Sequence, residues 1–201
     1  LHLCTALCVA LYTLKCYDCG NFVDEHCSDI ERECPSGSDR CLASRITQYT
    51  GKEISTTLSD KGCIPASHCV EASLNVGKYR TAFTTKCCTT DLCNDQLAPG
   101  NILYLLNGKK CIGCDGTGFC NWNVDCVDNE DHCFTNTVVN NIIIQGCASE
   151  EYCLKTQIAE LPSHISTEMT CCQGDYCNRA DSTGGSLLLL VVTVVSLVIF
   201  S

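Results

Sequence analysis

Residues 87–94, CCTTDLCN, and residues 171–178, CCQGDYCN, are one pattern written twice, sharing Asp91 and Asp175 and closing on Asn94 and Asn178. Around them the cysteines divide evenly, ten to each half. The first set is Cys16, Cys19, Cys27, Cys34, Cys41, Cys63, Cys69, Cys87, Cys88 and Cys93. The second is Cys111, Cys114, Cys120, Cys126, Cys133, Cys147, Cys153, Cys171, Cys172 and Cys177. The intervening counts are 2, 7, 6, 6, 21, 5, 17, 0, 4 and 2, 5, 5, 6, 13, 5, 17, 0, 4. Six of the nine agree, which chance does not give and an internal duplication does.

Twenty-two of the 201 residues are cysteine, above the roughly 8–10 % that marks a disulfide scaffold in a secreted chain. Aromatic residues make up 6 %, with one tryptophan, Trp122. So few large apolar side chains predict small stapled modules rather than one large core. The net charge is −10, which excludes a nucleic-acid partner held by phosphate neutralisation, since that needs a basic face. Residues 15–97 carry 9 bases and 12 acids, residues 109–181 carry 4 and 11. The densest acidic run is Asp125–Asp131. It reads as a solvated loop, with a docking surface for a basic partner as the sharper alternative.

Between the cysteines the chain reads as β-hairpins. Residues 42–50 and 53–59 are rich in β-branched and aromatic types and flank a turn at Gly51-Lys52. Residues 134–139 and 142–146 flank Asn140-Asn141, and Asn tolerates the positive φ of a tight turn. A third hairpin fits 70–86, turning near Asn75–Lys78, and its counterpart fits 154–170, turning at Pro162-Ser163. No window has sustained helical periodicity. The fold class is therefore all-β and disulfide-rich, in two tandem modules: residues 15–95, a linker at 96–100, and residues 101–178. The stretch from Asn101 to Leu106 is too apolar for a free linker and should enter the second module or pack between the two.

The ends read as addresses. Residues 1–14, LHLCTALCVALYTL, resemble the apolar region of a signal peptide, with cleavage after Ala10 or Thr13, and Cys4 and Cys8 lie outside the duplicated set. The chain begins with neither Met nor a basic stretch, which reads as truncation at its start. Residues 187–201 are an apolar tail of fourteen residues and a final serine. At about 1.5 Å per residue it spans roughly 21 Å, short of a bilayer core, and no Lys or Arg follows it. Residues 179–186 supply small and polar residues before it, so the tail is expected to be exchanged for a glycosylphosphatidylinositol (GPI) anchor within Ala180, Asp181 and Ser182. The ends imply the oxidising secretory route, so the cysteines are read as disulfides.

The opening Cys16-x2-Cys19 and Cys111-x2-Cys114, the Gly-Cys pairs at Gly62-Cys63 and Gly146-Cys147, and the two closing motifs together resemble the lymphocyte-antigen-six/urokinase-receptor family of three-finger (LU) domains. The resemblance covers residues 15–178. It implies the pairs Cys16–Cys41, Cys19–Cys27, Cys34–Cys63, Cys69–Cys87 and Cys88–Cys93. In the second module it implies Cys111–Cys133, Cys114–Cys120, Cys126–Cys147, Cys153–Cys171 and Cys172–Cys177. It assigns Asn94 and Asn178 a hydrogen-bonding role in each knot. It further implies a GPI-anchored protein on the outer face of the cell membrane that presents fingers to an extracellular protein ligand. Two alternatives stand beside that role. One is phospholipase inhibition, because residues 27–41 look like the serum inhibitors of the two-domain type. The other is modulation of a membrane receptor or channel. The urokinase receptor lacks the seventh-to-eighth bridge in its first domain and has three domains, whereas this chain has Cys69 and Cys87 and two domains, so urokinase binding does not carry over.

Chemistry is not expected. The four histidines beyond the apolar start, His26, His68, His132 and His164, share no motif, no Gly-x-Ser-x-Gly elbow is present, and no catalytic or cofactor-binding residue is assigned. The Cys-x2-Cys pairs are read as disulfide halves rather than zinc ligands, so no metal or cofactor is expected. There is no Asn-x-Ser/Thr sequon. Function would sit on finger tips. The candidate ligand contacts are Arg45, Tyr49 and Lys52 on the second finger, since Tyr and Arg are enriched at hot spots. The apolar finger with Ile142–Ile144 is the next candidate, its bland reading being sheet packing.

Overall fold

The computed structural model describes residues 13–19, 27–100, 104–117, 120–138, 142–154 and 169–179. The expected signal peptide up to residue 12, the expected turns at Asn140-Asn141 and Pro162-Ser163, the expected attachment window Ala180–Ser182 and the apolar tail lie outside the described residues.

In the first module a short hairpin, β1 (Lys15–Asp18) and β2 (Ile30–Glu33), forms a two-stranded sheet. The second finger is β3 (Arg40–Thr50) and β4 (Glu53–Ile64), the third is β5 (Ala72–Asn75) and β6 (Tyr79–Cys88). The two-residue turn at Gly51-Lys52 uses the positive φ of Gly51, +62°, a conformation that costs glycine nothing. The turn of the third finger uses Gly77 at φ +88°, with its N–H donating to Asn75 Oδ1 at 2.8 Å. The second module has β7 (Leu106–Asp115), β8 (Cys120–Val127), β9 (His132–Val138), β10 (Ile142–Ala148), a single helical turn α1 (Glu150–Cys153) and β11 (Thr170–Cys172). The sequence reading places its last hairpin from residue 154 onward and assigns no element to the residues of α1. Ser149 caps that turn, its Oγ accepting from Tyr152 N, an arrangement Ser favours at a helix start.

Ten disulfides staple the two modules: Cys16–Cys41, Cys19–Cys27, Cys34–Cys63, Cys69–Cys87 and Cys88–Cys93 in the first, and Cys111–Cys133, Cys114–Cys120, Cys126–Cys147, Cys153–Cys171 and Cys172–Cys177 in the second. The cysteine triads Cys16, Cys34, Cys63 and Cys111, Cys126, Cys147 cluster at metal-ligand distances. Every sulfur in them is half of a disulfide, so none is a thiolate ligand.

The closing motifs work identically in both modules. Asp91 Oδ1 accepts Lys15 N at 2.8 Å and Asp175 Oδ1 accepts Lys110 N at 3.1 Å. Leu92 and Tyr176, both at positive φ, donate their N–H to the carbonyls of Lys15 and Lys110. Buried Asn94 accepts from Tyr17 N and donates to Tyr17 O and Leu42 O at 2.8–2.9 Å. Asn178 does the same with Ile112 N, Ile112 O and Phe134 O. The side-chain amide therefore pairs backbone groups that the knot would otherwise bury unsatisfied.

The modules do not sit apart. Strand β10 pairs with β9 along its length, while its other edge is shared between β7 of its own module and β5 of the first, through Cys147↔Asn75 and Ala148↔Leu74. One sheet thus runs from β11 to β4 across both modules. On one face of the junction Ala72, Val76 and Phe83 pack with Phe134, Ala148, Tyr152 and Met169. The two smaller clusters consist mainly of the cystines of each knot. The modules are small and stapled, and the most apolar cluster belongs to both at once, because alternation along β5 sends Ala72 and Leu74 to this face.

Candidate functional site

The opposite face of the junction is polar. Ser73 and Asn75 alternate with Ala72 and Leu74 along β5, and Arg80, Ala82 and Thr84 alternate with Phe83 along β6. Arg80 is 3 % exposed and Glu130 is fully buried. Arg80 Nε donates to Glu130 Oε1 at 2.7 Å and Nη2 to Asp128 Oδ2 at 2.9 Å. Asn75 Nδ2 and Val127 N donate to the other oxygen, Oε2, at 2.9 and 3.0 Å. The guanidinium lies 5.5 Å from the Tyr49 ring and 5.8 Å from that of Tyr104, within cation–π range. Burial pushes the Glu130 carboxyl above its ordinary value, with Arg80, Asn75 and Val127 opposing it. Ser149 adds a further tie, its N–H donating to Ser73 O and its Oγ accepting from Ser73 N.

This arrangement overturns the bland reading of the acidic run. Asp128 and Glu130 are not a solvated loop. They receive a basic residue, and that residue is Arg80 of the same chain. Asp125 pairs with Lys110 at 3.2 Å, and Asp131 lies 2.8 Å from His132.

Beside this lock lies an open groove of about 740 Å³. The first domain lines it with Lys52, Asn75, Gly77 and Lys78, and the chain beyond the linker with Tyr104, Leu106, Asp115 and residues 122–125. The Gly51 N–H donates to the Lys78 carbonyl at 2.8 Å, which holds the second and third finger turns together and sets the two lysines side by side. Trp122 of β8 packs against the backbone of Gly77 and Gly113, and a Cβ at Gly113 would overlap its indole.

Of the three expected contacts, only Lys52 sits at an exposed turn, with its ammonium 5.8 Å from the Tyr104 ring. Tyr49 is 6 % exposed and stacks on Arg80 because the two are register partners across β3 and β6. Arg45 lies mid-strand opposite Thr84, five residues and roughly 17 Å short of Thr50. It packs against Gly100, where a Cβ would overlap its guanidinium. The three do not form one exposed patch, because Arg45, Thr47 and Tyr49 alternate onto the face that the linker and second module cover. Of the apolar finger, Ile142 and Ile143 are exposed and Ile144 is half-buried. Sequence reasoning missed Asn75, Lys78 and Arg80 altogether. Its signals were the acidic run, the lone Trp122 and the apolar stretch after residue 100.

The family model for the u-PAR/Ly-6 domain matches residues 12–96 and 107–180. The chain is 32 % identical over 105 residues to a phospholipase A2 inhibitor, PIP, of Malayopython reticulatus, covering 51 % of each chain. It is 29 % identical over 148 residues to a gamma-type phospholipase A2 inhibitor of Gloydius brevicaudus siniticus, covering 64 % of this chain and 71 % of the relative. It is 32 % identical over 92 residues to lymphocyte antigen 6 complex locus protein G6d of Rattus norvegicus, covering 42 % of this chain and 68 % of the relative. The match spans about half the length of the python inhibitor and more of the other two. Two matched regions over most of the sequence, each closing on its own CC-x4-CN clip, place this chain in the u-PAR/Ly-6 domain family.

Proposed function

We propose that this chain is a GPI-anchored binding protein of the cell surface that holds an extracellular protein ligand in the groove between its two domains, without catalysing a reaction. The carrying observation is the groove itself. Two finger turns of one domain and the first finger of the other meet across it, fixed by a shared sheet and a buried ion pair. Rigid walls lower the ordering cost of binding. Treating cells that display the chain with a phosphatidylinositol-specific phospholipase should release it into the medium. Cross-linking the released ectodomain to intact neighbouring cells should then give a discrete protein adduct. Retention at the surface together with survival of an epitope placed after Ser201 overturns the anchor. Absence of any adduct overturns the binding role.

A second reading is inhibition of a secreted phospholipase A2. It is favoured by the match to the Gloydius inhibitor, which runs over 148 residues and so across both domains. The assay is hydrolysis of phosphatidylcholine vesicles by a secreted phospholipase A2 with increasing ectodomain. A dose-dependent fall in rate supports inhibition, and an unchanged rate removes it.

A further inference from the structure

We propose that the occupant of the interdomain groove is an extended acidic segment of the ligand, laid along the free edge of β8 with its carboxylates turned toward Lys52 and Lys78. This deepens the binding role above and rests on it.

Three observations carry the proposal. The first is charge. Lys52 and Lys78 are exposed, and among the described residues neither forms an ion pair. The Tyr79 hydroxyl, and more weakly the Asp115 carboxylate, favour the charged ammonium of Lys78. Of the two lining carboxylates, Asp125 is neutralised by a lysine and Asp115 keeps its charge. Asp115 Oδ1 accepts from both the N–H and the hydroxyl of Thr117, at 3.0 and 2.6 Å, and Asp125 is paired with Lys110. With Lys110 counted, three ammonium groups stand against the two carboxylates Asp115 and Asp125, so the groove is net positive on a chain whose net charge is −10, and complementary charge is what steers and registers a partner.

The second is backbone geometry. Among the described residues strand β8 pairs only with β7; beyond that ladder Asp125 O accepts from Asn75 Nδ2 and Val127 N donates to Glu130 Oε2, so the stretch of β8 without a second strand partner is the one that starts at Trp122. Trp122, Asn123, Val124 and Asp125 all line the groove although they are consecutive. Side chains of alternate residues point to opposite faces of a strand, so four successive lining residues mean that the groove runs along the edge and not across a face. An exposed edge accepts an extended segment by strand addition, with main-chain hydrogen bonds giving affinity and alternate side chains giving specificity.

The third is the rings. Tyr104 and half-buried Trp122 flank the groove, which suits apolar side chains placed between the carboxylates. The fitting segment thus alternates acidic and apolar residues.

Trp122 is the sole tryptophan of the sequence, so its emission reports on groove occupancy directly. The ectodomain is titrated with the capped hexapeptide Glu-Val-Glu-Val-Glu-Val and, separately, with Lys-Val-Lys-Val-Lys-Val and with Glu-Pro-Glu-Pro-Glu-Pro. The first should give a saturable change in Trp122 emission that weakens as salt rises from about 50 to about 500 mM. The lysine and proline peptides should give none, the one for its charge and the other because it cannot add to an edge. Lys52→Glu/Lys78→Glu changes two exposed turn residues and should weaken the first peptide by about tenfold or more, with the disulfides intact by mass. Equal response to the acidic and lysine peptides, no response to the acidic one, or undiminished binding by the double variant each overturns the proposal. If the double variant still forms the cross-linked adduct in full, the acidic segment falls and the binding role stands.

Discussion

Arg80 Nε and Glu130 Oε1, 50 residues apart in sequence, meet 2.7 Å apart in the seam between the two domains. Both side chains are almost wholly removed from water, 2 % and 0 % exposed. Their desolvation is offset because each finds several partners, a guanidinium stacked between two tyrosine rings and a carboxylate accepting from Asn75 and Val127 as well. The pair fixes how the two domains meet, and with that the width of the groove.

Arg80→Ala should be among the most damaging single changes away from the cystines. Removing one partner of a buried pair leaves the other uncompensated and typically costs about 3–5 kcal/mol. Denaturant unfolding with the disulfides intact measures it. Arg80→Met/Glu130→Met should recover part of the loss, since the fully buried carboxylate is gone and the only charge left without Arg80 is the more exposed Asp128. An Arg80→Ala protein as stable as the parent would show that the pair does not hold the domains.

Glu130 also sets a pH dependence. Its carboxyl is raised in the folded protein above the ordinary 4.5, so the folded state binds the proton more tightly than the unfolded chain. The stability this contributes is fully present below the ordinary value and is lost as pH rises through the raised one. Relative to Glu130→Gln, which has no titrating group there, the parent should lose stability as pH rises above 4.5 and through the raised value. Parallel stability curves for the two proteins contradict this.

Tyr49 and Lys52, three positions apart, should respond oppositely to alanine. Tyr49 is buried against Arg80, and truncating a buried aromatic costs about 3–5 kcal/mol. Lys52 is exposed, and its loss should move stability by no more than about 0.5 kcal/mol. Secreted yield and thermal unfolding of the two single variants give the comparison. Equal tolerance at both sites would return Tyr49 to the exposed finger tip.

Gly62 and Gly146 hold the same place before the sixth cysteine of each domain yet should differ. A Cβ at Gly62 meets nothing within 4 Å, whereas one at Gly146 would overlap the carbonyl of Asn75 on β5. Gly146→Ala should therefore cost about 1–3 kcal/mol of overpacking and speed hydrogen exchange in β5 and β10. Gly62→Ala should be neutral or slightly stabilising. Slow exchange retained in both strands of Gly146→Ala would mean that the shared edge tolerates the added atom.

Much of the fold is legible before any coordinates. The hairpin at Gly51-Lys52 and the third finger turning near Gly77 follow from alternation and turn chemistry, and the ten cystines of the structure are the pairs that the family resemblance implies. The site is far less legible. Tyr49 and Arg45 carry the residue types of a binding tip, but which face of β3 lies against the linker depends on residues around 98–100 and on the second domain. The acidic run at 125–131 is plain in the sequence, while its partner Arg80 stands in the other repeat among ordinary strand residues.

What is local or repeated can be read from the chain alone: two stapled β modules, their turns, and a closing motif that recurs in each half. What joins the modules emerges with tertiary packing. The apolar cluster around Phe83 and Phe134, the β5–β10 seam, the Arg80–Glu130 pair and the groove along β8 all come from residues in different modules. Strand pairing uses backbone groups that every residue carries, so no side-chain pattern announces which edges will meet, and a buried charge shows its partner only once the two chain segments lie side by side.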